Sequence, residues 1–532
     1  MAVDAVSRRN ILRLGAGMGG ALALGPMPAG PAEAAVAAAA ATTAPLGTLD
    51  QAKDVYQAIG VRPLINARGT FTILSGSLML PEVRAAIDAA ARQYVHLDEL
   101  ADAIGKRLGE LTRSEFGLVS SGCAAALTHA TAACVAGGNP DLHVRIPDLT
   151  GFRKTEVIIP RHSRNVYEAA VSAVGLKVVE VSTRAELEAA MGPQTALVYI
   201  MAGPRVDESE INTRVIAEVA QPKGVPVLVD AAAEILTIPN VHLGHGADLV
   251  AYSGGKAIRG PQSAGLLLGR EDLVRAAWVQ SAPHHGFARG FKVGKEEAMG
   301  MLMAVEMWVR RDHDAEYRRW TGWLRDIADK VSGIPTVTTS IVQPEGLSNR
   351  TPSLTVLWDG ERLGVSGQTV TDTLYQGEPR IALNAASRDG RTGVSITPYM
   401  LTPGDEKVIA RELVELLKDP PEPPEPAKPP TVDVSGDWSL KIKYMAGASD
   451  AHRLRLSQDG ATVTGSHTGD FVTRDLTGTV SGDTVRVRSS YGEEHGDSLS
   501  FTFTGTVQGD AISGELDMGE YLKATWTAAR GG

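Results

Sequence analysis

Cysteine is nearly missing from this chain: 532 residues contain two, Cys123 and Cys134. Both fall on one predicted helix that begins near Ser121. Eleven residues of helix hold their Cα atoms about 16 Å apart, beyond the reach of a disulfide. An internal disulfide staple is therefore excluded, and the two thiols form no metal cluster. Cys123 either lines a binding cup at the helix start or is a small buried thiol. Net positive charge is also lacking, with 52 Lys and Arg against 62 Asp and Glu and a formal charge of −10. That balance opposes nonspecific nucleic-acid binding and counts against a role in modifying tRNA. No apolar run approaches the roughly 20 residues that cross a bilayer; the longest candidate, Leu14 to Leu24, is too short, and the mature chain is expected to be soluble.

At this length, with 43% hydrophobic residues, the chain has material for two or three domains and a large core. Its first segment is read as an address. Ser7-Arg-Arg-Asn-Ile-Leu-Arg13 matches a twin-arginine export signal ahead of the apolar stretch, and Ala32-Glu-Ala34 is a small-residue cleavage site. The expected organisation is a signal peptide over 1–34 and a low-complexity linker over 35–50. The twin-arginine machinery is then a partner, and the location is periplasmic or secreted. Such export moves folded proteins, so it is compatible with a cofactor loaded in the cytoplasm.

The chemistry gathers at two apolar runs. Val225-Pro-Val-Leu-Val229 ends on Asp230, and Ala247-Asp-Leu-Val-Ala-Tyr252 runs into the glycine-rich turn Ser253-Gly-Gly-Lys256. Alone, Lys256 could be a solvated loop lysine and Asp230 a helix N-cap. Together, strand-Asp followed by strand-Ser-Gly-Gly-Lys is the arrangement that pyridoxal 5'-phosphate chemistry requires. An uncharged amine must attack the cofactor aldehyde, and desolvation lowers a lysine pKa. A carboxylate against the ring nitrogen keeps that ring an electron sink.

The cofactor phosphate needs backbone donors. Glu115-Phe-Gly-Leu-Val-Ser-Ser-Gly-Cys-Ala-Ala-Ala-Leu127 reads as a strand that turns through small residues into a helix, which would place Ser120, Ser121, Gly122 and Cys123 at its start. Ser253 adds a hydroxyl from the lysine turn.

These runs, with Gly60-Val-Arg-Pro-Leu-Ile-Asn-Ala-Arg-Gly-Thr70, Val229-Asp-Ala-Ala-Ala-Glu234, the extension of the lysine turn to Gln262 and Lys292-Val-Gly-Lys-Glu-Glu297, carry a family resemblance. From about Gly60 to about Leu417 the chain resembles the selenocysteine-synthase-like branch of fold-type I pyridoxal phosphate enzymes. Within that branch it is most similar to the D-glucosaminate-6-phosphate ammonia-lyase-like proteins. The resemblance implies an α/β fold-type I transferase fold with a mainly parallel sheet. It implies that Lys256 is the Schiff-base lysine and Asp230 the pyridinium partner. It also implies a homodimer or higher even oligomer, because active sites of this fold type generally lie at a dimer interface.

The large domain is expected over 51–300 and a small α/β domain over 301–418. A helical pattern runs from Lys295 to about Val331, with Met299, Met301, Met303 and Met307 as core. Strands are predicted at Ser353-Leu-Thr-Val-Leu-Trp358 and Val394-Ser-Ile-Thr397. Arg380 is a candidate bidentate clamp on a substrate carboxylate, or else a surface ion pair. His162, after the strand Val157-Ile-Ile159, is a candidate for the cofactor face, with Arg161 or Arg164 near an anion. His284-His-Gly286 borders the site or decorates a loop, and no metal site is expected from these histidines.

A proline-rich linker over 419–431 ends this part. Over 432–532 the pattern switches to period two, in runs such as Trp438-Ser-Leu-Lys-Ile-Lys-Tyr444 and Leu499-Ser-Phe-Thr-Phe503, and Thr477-Gly-Thr-Val-Ser-Gly-Asp483 is echoed by Thr504-Gly-Thr-Val-Gln-Gly-Asp510. About eight antiparallel strands in a barrel or sandwich are predicted.

The expected activity is a lyase that deprotonates Cα and eliminates a β-hydroxyl from an amino acid or amino sugar acid, such as a 2-amino-3-hydroxy acid. Ammonia and a 2-keto acid would be released. The same motif also permits a racemase or an aminotransferase. A different class, a noncatalytic protein that presents the β domain to a cell-wall or sugar partner, is opposed by intact Lys256 and Asp230. A selenium transferase acting on charged tRNA is opposed by the export signal and the acidic charge.

Overall fold

The computed structural model describes residues 53–422, 426–490 and 500–531. The export signal, its cleavage site and the 35–50 linker lie outside the described residues. The chain divides into two compact units at Pro63. The described part of the first carries one 3-10 turn, Gln57–Ile59.

A seven-stranded sheet organises the second unit. Its strands are β1 (Phe116–Ser120), β2 (Glu156–Pro160), β3 (Lys177–Val181), β4 (Thr195–Met201), β5 (Val227–Asp230), β6 (Leu249–Ser253) and β7 (Gly265–Gly269). They lie in the order β1-β7-β6-β5-β4-β2-β3. Strands β2 to β6 join in parallel, while β7 runs antiparallel to both β6 and β1. The carboxyl ends of β1, β5 and β6 therefore share one edge of the sheet, where ligands of open α/β sheets sit. The apolar runs of β5 and β6 are continuous because both faces are covered. Val227, Val229, Val250 and Tyr252 join one core, and Leu228, Leu249 and Ala251 the other.

Helix α1 (Cys123–Ala136) follows β1, and α2 (Lys295–Arg310) and α3 (His313–Val331) follow the lysine loop. The single helical stretch expected over Lys295–Val331 is thus two helices. Arg311 turns to extended backbone, and the Asp312 carboxylate caps α3 by accepting from the Ala315 N–H at 2.8 Å. The expected boundary at 301 falls inside α2, whose Met301, Ala304, Val305 and Trp308 are buried in the core of the large sheet. A separate core begins at Leu324 of α3. It packs under a four-stranded antiparallel sheet of Thr338–Val342, Ser353–Trp358, Asn384–Arg388 and Arg391–Ile396. Ile65–Asn66 reaches this part of the chain by pairing with Ile381–Ala382.

Eight strands from Gly436–Tyr444 to Lys523–Arg530 form a closed barrel, sealed by pairing of the first with the last; a three-residue strand, Gly447–Ser449, is appended. Alternation is strict enough that Trp438, Phe503 and Trp526 fill the interior. Gly482 and Gly509 take positive φ in the Gly-Asp turns, which supplies the hairpin geometry. Among the described residues, no helix is long and apolar enough to cross a membrane.

Candidate active site

Asp230 closes β5 and is 4% exposed. Its Oδ1 accepts from the Ala232 N–H at 3.0 Å and from the Cys123 thiol at 3.6 Å, and its Oδ2 accepts from the Tyr199 hydroxyl at 3.1 Å. Tyr199 itself receives the Asn165 amide at 3.2 Å. Burial pushes the Asp230 carboxyl above its ordinary range, while these donors and the Lys256 ammonium pull it back. Burial also raises the Cys123 thiol, so it stays protonated and donates. The Lys256 charge favours the ionised form of both groups, against the effect of burial.

The cup forms across three strands. Gly265 of β7 is in register with Ser120 on one side and Ser253 on the other. A Cβ on Gly265 would meet the Gly122 carbonyl carbon at 2.3 Å and the Cys123 nitrogen at 2.6 Å, so only glycine lets the α1 start approach β7. No side chain caps α1, which leaves its first amides for a ligand. Not every expected member of the cup faces it. The Ser120 hydroxyl is spent on the Gly122 carbonyl at 2.8 Å, and Ser121 donates to the Phe291 carbonyl at 3.0 Å, tying the 281–293 segment to the cup. Cys123 serves Asp230 instead of the anion. An uncapped helix start, a buried carboxylate and a neighbouring lysine are the parts that pyridoxal phosphate needs, and these residues fit it.

His162 stands past the end of β2, its Nε2 donating to the Ile211 carbonyl at 3.2 Å and its Nδ1 accepting from Ser163 at 3.0 Å. Both ring nitrogens are thus engaged away from Asp230. Burial lowers its pKa, so the ring is neutral. Arg161 and Arg164 pair with Glu180, and Arg164 also with Glu168. They are not free for an anion. Arg380 differs too: its guanidinium lies 3.9 Å over the Tyr375 ring and donates to the Tyr375 carbonyl at 3.0 Å. Stacking on and hydrogen bonding to Tyr375, near the end of the preceding helix, hold its guanidinium. His284 pairs with Asp98 at 3.1 Å.

A cavity of about 650 Å³, marked by no sequence pattern, lies next to the lysine turn. Its wall includes Ala233 from the loop after Asp230, Ala257 beside Lys256, Arg259, Trp308, Tyr317 and Arg350. Arg259 is held at φ 60, a strained backbone for a non-glycine residue. It anchors through the Leu78 carbonyl at 2.9 Å. Arg311 also lines the space, but Glu316 neutralises it through two hydrogen bonds. Burial and the Arg311 charge lower the Arg259 pKa.

Comparison with known proteins matches residues 162–283 to the Aminotransferase class-V family. D-glucosaminate-6-phosphate ammonia lyase of Salmonella typhimurium is 31% identical over 373 residues, covering 68% of this chain and 98% of that protein. The chain belongs to the D-glucosaminate-6-phosphate ammonia lyase family. A solved structure of D-glucosaminate-6-phosphate ammonia-lyase is 29% identical with a TM-score of 0.62, covering 69% of this chain and 99% of that one. A 5'-C-glycyluridine monooxygenase-decarboxylase from a Streptomyces species is 32% identical over 380 residues, covering 68% and 92% of the two chains. As a member of this ammonia-lyase family the protein is a pyridoxal phosphate enzyme of ammonia-lyase type, with the aminotransferase class-V fold.

Proposed function

We propose that the protein is an exported lyase that removes the Cα proton and a β-hydroxyl from an amino acid or amino sugar acid, releasing ammonia and a 2-keto acid. The observation that carries this reading is the buried Asp230 carboxylate, held by Tyr199, Cys123 and a backbone N–H at the end of the strand beside the one that leads into Lys256. Lys256 would hold the cofactor covalently, and the amides at the start of α1 would hold its phosphate with help from the Ser253 hydroxyl. When bound, pyridoxal phosphate withdraws electrons from the substrate Cα and makes its proton removable. Asp230, desolvated and fixed on both oxygens, would supply the negative charge that keeps the cofactor's ring nitrogen protonated. The Lys256 amine, free when substrate is bound, would be the base that takes the Cα proton. Loss of that proton and the β-hydroxyl removes one water, and hydrolysis of the product returns it, so ammonia and the keto acid are the net products.

The cavity beside Ala257 is the substrate chamber in this reading. Arg259 and Arg350 face its space, so a substrate with an anionic group remote from its amine fits it. The Salmonella relative's named substrate carries both a carboxylate and a phosphate. A homodimer is part of the proposal. Phe71, Ile73 and Leu78 are exposed on the segment whose Ser77 N–H donates to the Gly255 carbonyl at 2.9 Å, and Tyr94 and Val95 are exposed nearby in sequence.

The test is a screen of sugar-derived and simple 2-amino-3-hydroxy acids with the loaded protein, following ammonia and keto acid. Release of both supports the proposal. Oxygen uptake with carbon dioxide release and no ammonia would move the assignment to the chemistry for which the Streptomyces relative is named.

A further inference from the structure

Glu234 and His242 are 5% and 7% exposed, and the His242 Nε2–H donates to Glu234 Oε2 at 2.6 Å. Burying such a pair costs desolvation, and apolar residues of similar volume commonly serve stability as well. The pair therefore calls for a role beyond holding the core together. Among the described contacts it touches neither Asp230 nor Lys256. Glu234 belongs to the loop that leaves Asp230, and His242 to the short helix Val241–Gly244 that follows it. The same loop is fastened by Trp308, whose Nε1–H donates to the Leu236 carbonyl at 2.8 Å. Asn240 stiffens the far side, donating to the Tyr252 hydroxyl at 2.7 Å and accepting from the His242 N–H at 3.1 Å.

The upper side of this loop carries a short ladder to a distant part of the chain. Glu234 bridges Ser348 in antiparallel fashion, the Ile235 N–H donates to the Leu347 carbonyl at 3.1 Å, and the Asn349 N–H donates to the Ala233 carbonyl at 2.8 Å. Asn349 then turns through φ 46, and the next residue is Arg350. Asn349 and Arg350 both line the cavity, together with Ala257 and Arg259. The backbone position of Arg350 is thus set by three residues that ride on Ala233–Ile235, and Ala233–Ile235 is set by the buried pair.

We infer that Glu234 and His242 are positioning residues that place Arg350 over the chamber and thereby set its affinity for an anionic substrate group. The inference rests on the reading of this cavity as the substrate chamber. It assigns specificity to residues that never touch the ligand. The ladder couples the loop after Asp230 to the segment of Arg350, so a change in the buried pair reaches the anion site without disturbing the cofactor cup.

The experiment uses the full-length, cofactor-loaded protein and inorganic phosphate as the probe, with binding read by calorimetry and cofactor content by absorbance. Arg350→Gln and His242→Leu are each expected to weaken phosphate about tenfold at unchanged cofactor content. The double variant should be no weaker than Arg350→Gln alone, because residues acting through one group are non-additive. His242→Gln, which still has an N–H for Glu234, should recover most of the affinity. Asn349→Pro removes the N–H that donates to Ala233 and, because proline cannot adopt φ 46, also re-routes the backbone into Arg350 while leaving the buried pair in place; it should lose at least as much affinity as His242→Leu, even where His242→Leu fails to fold. Additive losses in the double variant, or wild-type phosphate affinity in Asn349→Pro, would overturn the inference and leave the chamber reading standing. A wild-type protein that binds no phosphate would overturn the chamber reading itself.

Discussion

The Tyr199 hydroxyl stands 3.1 Å from Asp230 Oδ2, with the Tyr199 ring fully buried on the neighbouring strand. This contact decides how the site keeps a carboxylate in an apolar interior. Removing the hydroxyl in Tyr199→Phe leaves Oδ2 without its protein donor and is expected to cost about 1–3 kcal/mol of stability in the cofactor-free protein. It also favours the protonated carboxyl further, so the cofactor dissociation constant should rise. Urea unfolding and an absorbance titration with pyridoxal phosphate measure the two effects.

The raised pKa of Asp230 has a signed consequence for the cofactor-free protein. The unfolded chain releases this proton near the usual 3.8, whereas the folded state holds it to a higher pH. Stability from this group is complete below 3.8 and is lost as pH rises through the folded value. Asp230→Asn should remove that part of the pH dependence and gain stability above the window. Denaturant midpoints of both proteins across the acid range check the sign.

His467 gives the opposite slope in the barrel. It is fully buried between His452 and Ser489, and burial, then the charges of His452 and Arg474, lower its pKa from 6.5 to about 3. A histidine depressed in the folded state supports stability above 6.5, and that support is lost as pH falls toward about 3. Each pKa unit corresponds to about 1.4 kcal/mol. Hydrogen exchange of barrel peptides in the full chain should accelerate over this interval and much less in His467→Gln.

Gly265→Ala tests the cup by geometry alone. The added methyl must displace the Gly122 carbonyl or the Cys123 amide, both backbone atoms without slack. Cofactor affinity is expected to drop more than tenfold while far-ultraviolet circular dichroism is kept. An unchanged affinity would mean that the α1 start does not hold the phosphate.

The strand-Asp and strand-lysine pattern was legible because β5 and β6 are buried on both faces, which leaves apolar runs that end at the edge of the sheet. The barrel was legible through its period of two. Side-chain direction was not. Ser120 and Ser121 are adjacent hydroxyls in a small-residue turn, and only the packed structure sends one to Gly122 and the other to Phe291. The break between α2 and α3 had one local sign, Asp312, which the helical periodicity around it hid. The chamber left no sign of any kind in the sequence, since Ala233, Arg259, Tyr317 and Arg350 come from separate segments that meet only in the fold. The stacking of Arg380 on Tyr375 was not legible either, because it depends on how residues 377–379 fold back from the end of the helix that carries Tyr375.

The most direct measurement is an absorbance spectrum of the purified protein between roughly 300 and 500 nm, the region where the cofactor absorbs, repeated after borohydride with mapping of the labelled peptide. A band that disappears on reduction as Lys256 becomes pyridoxylated, and that is missing in Lys256→Ala, is the predicted result. A label on a different lysine, or full turnover by Lys256→Ala, would contradict the account.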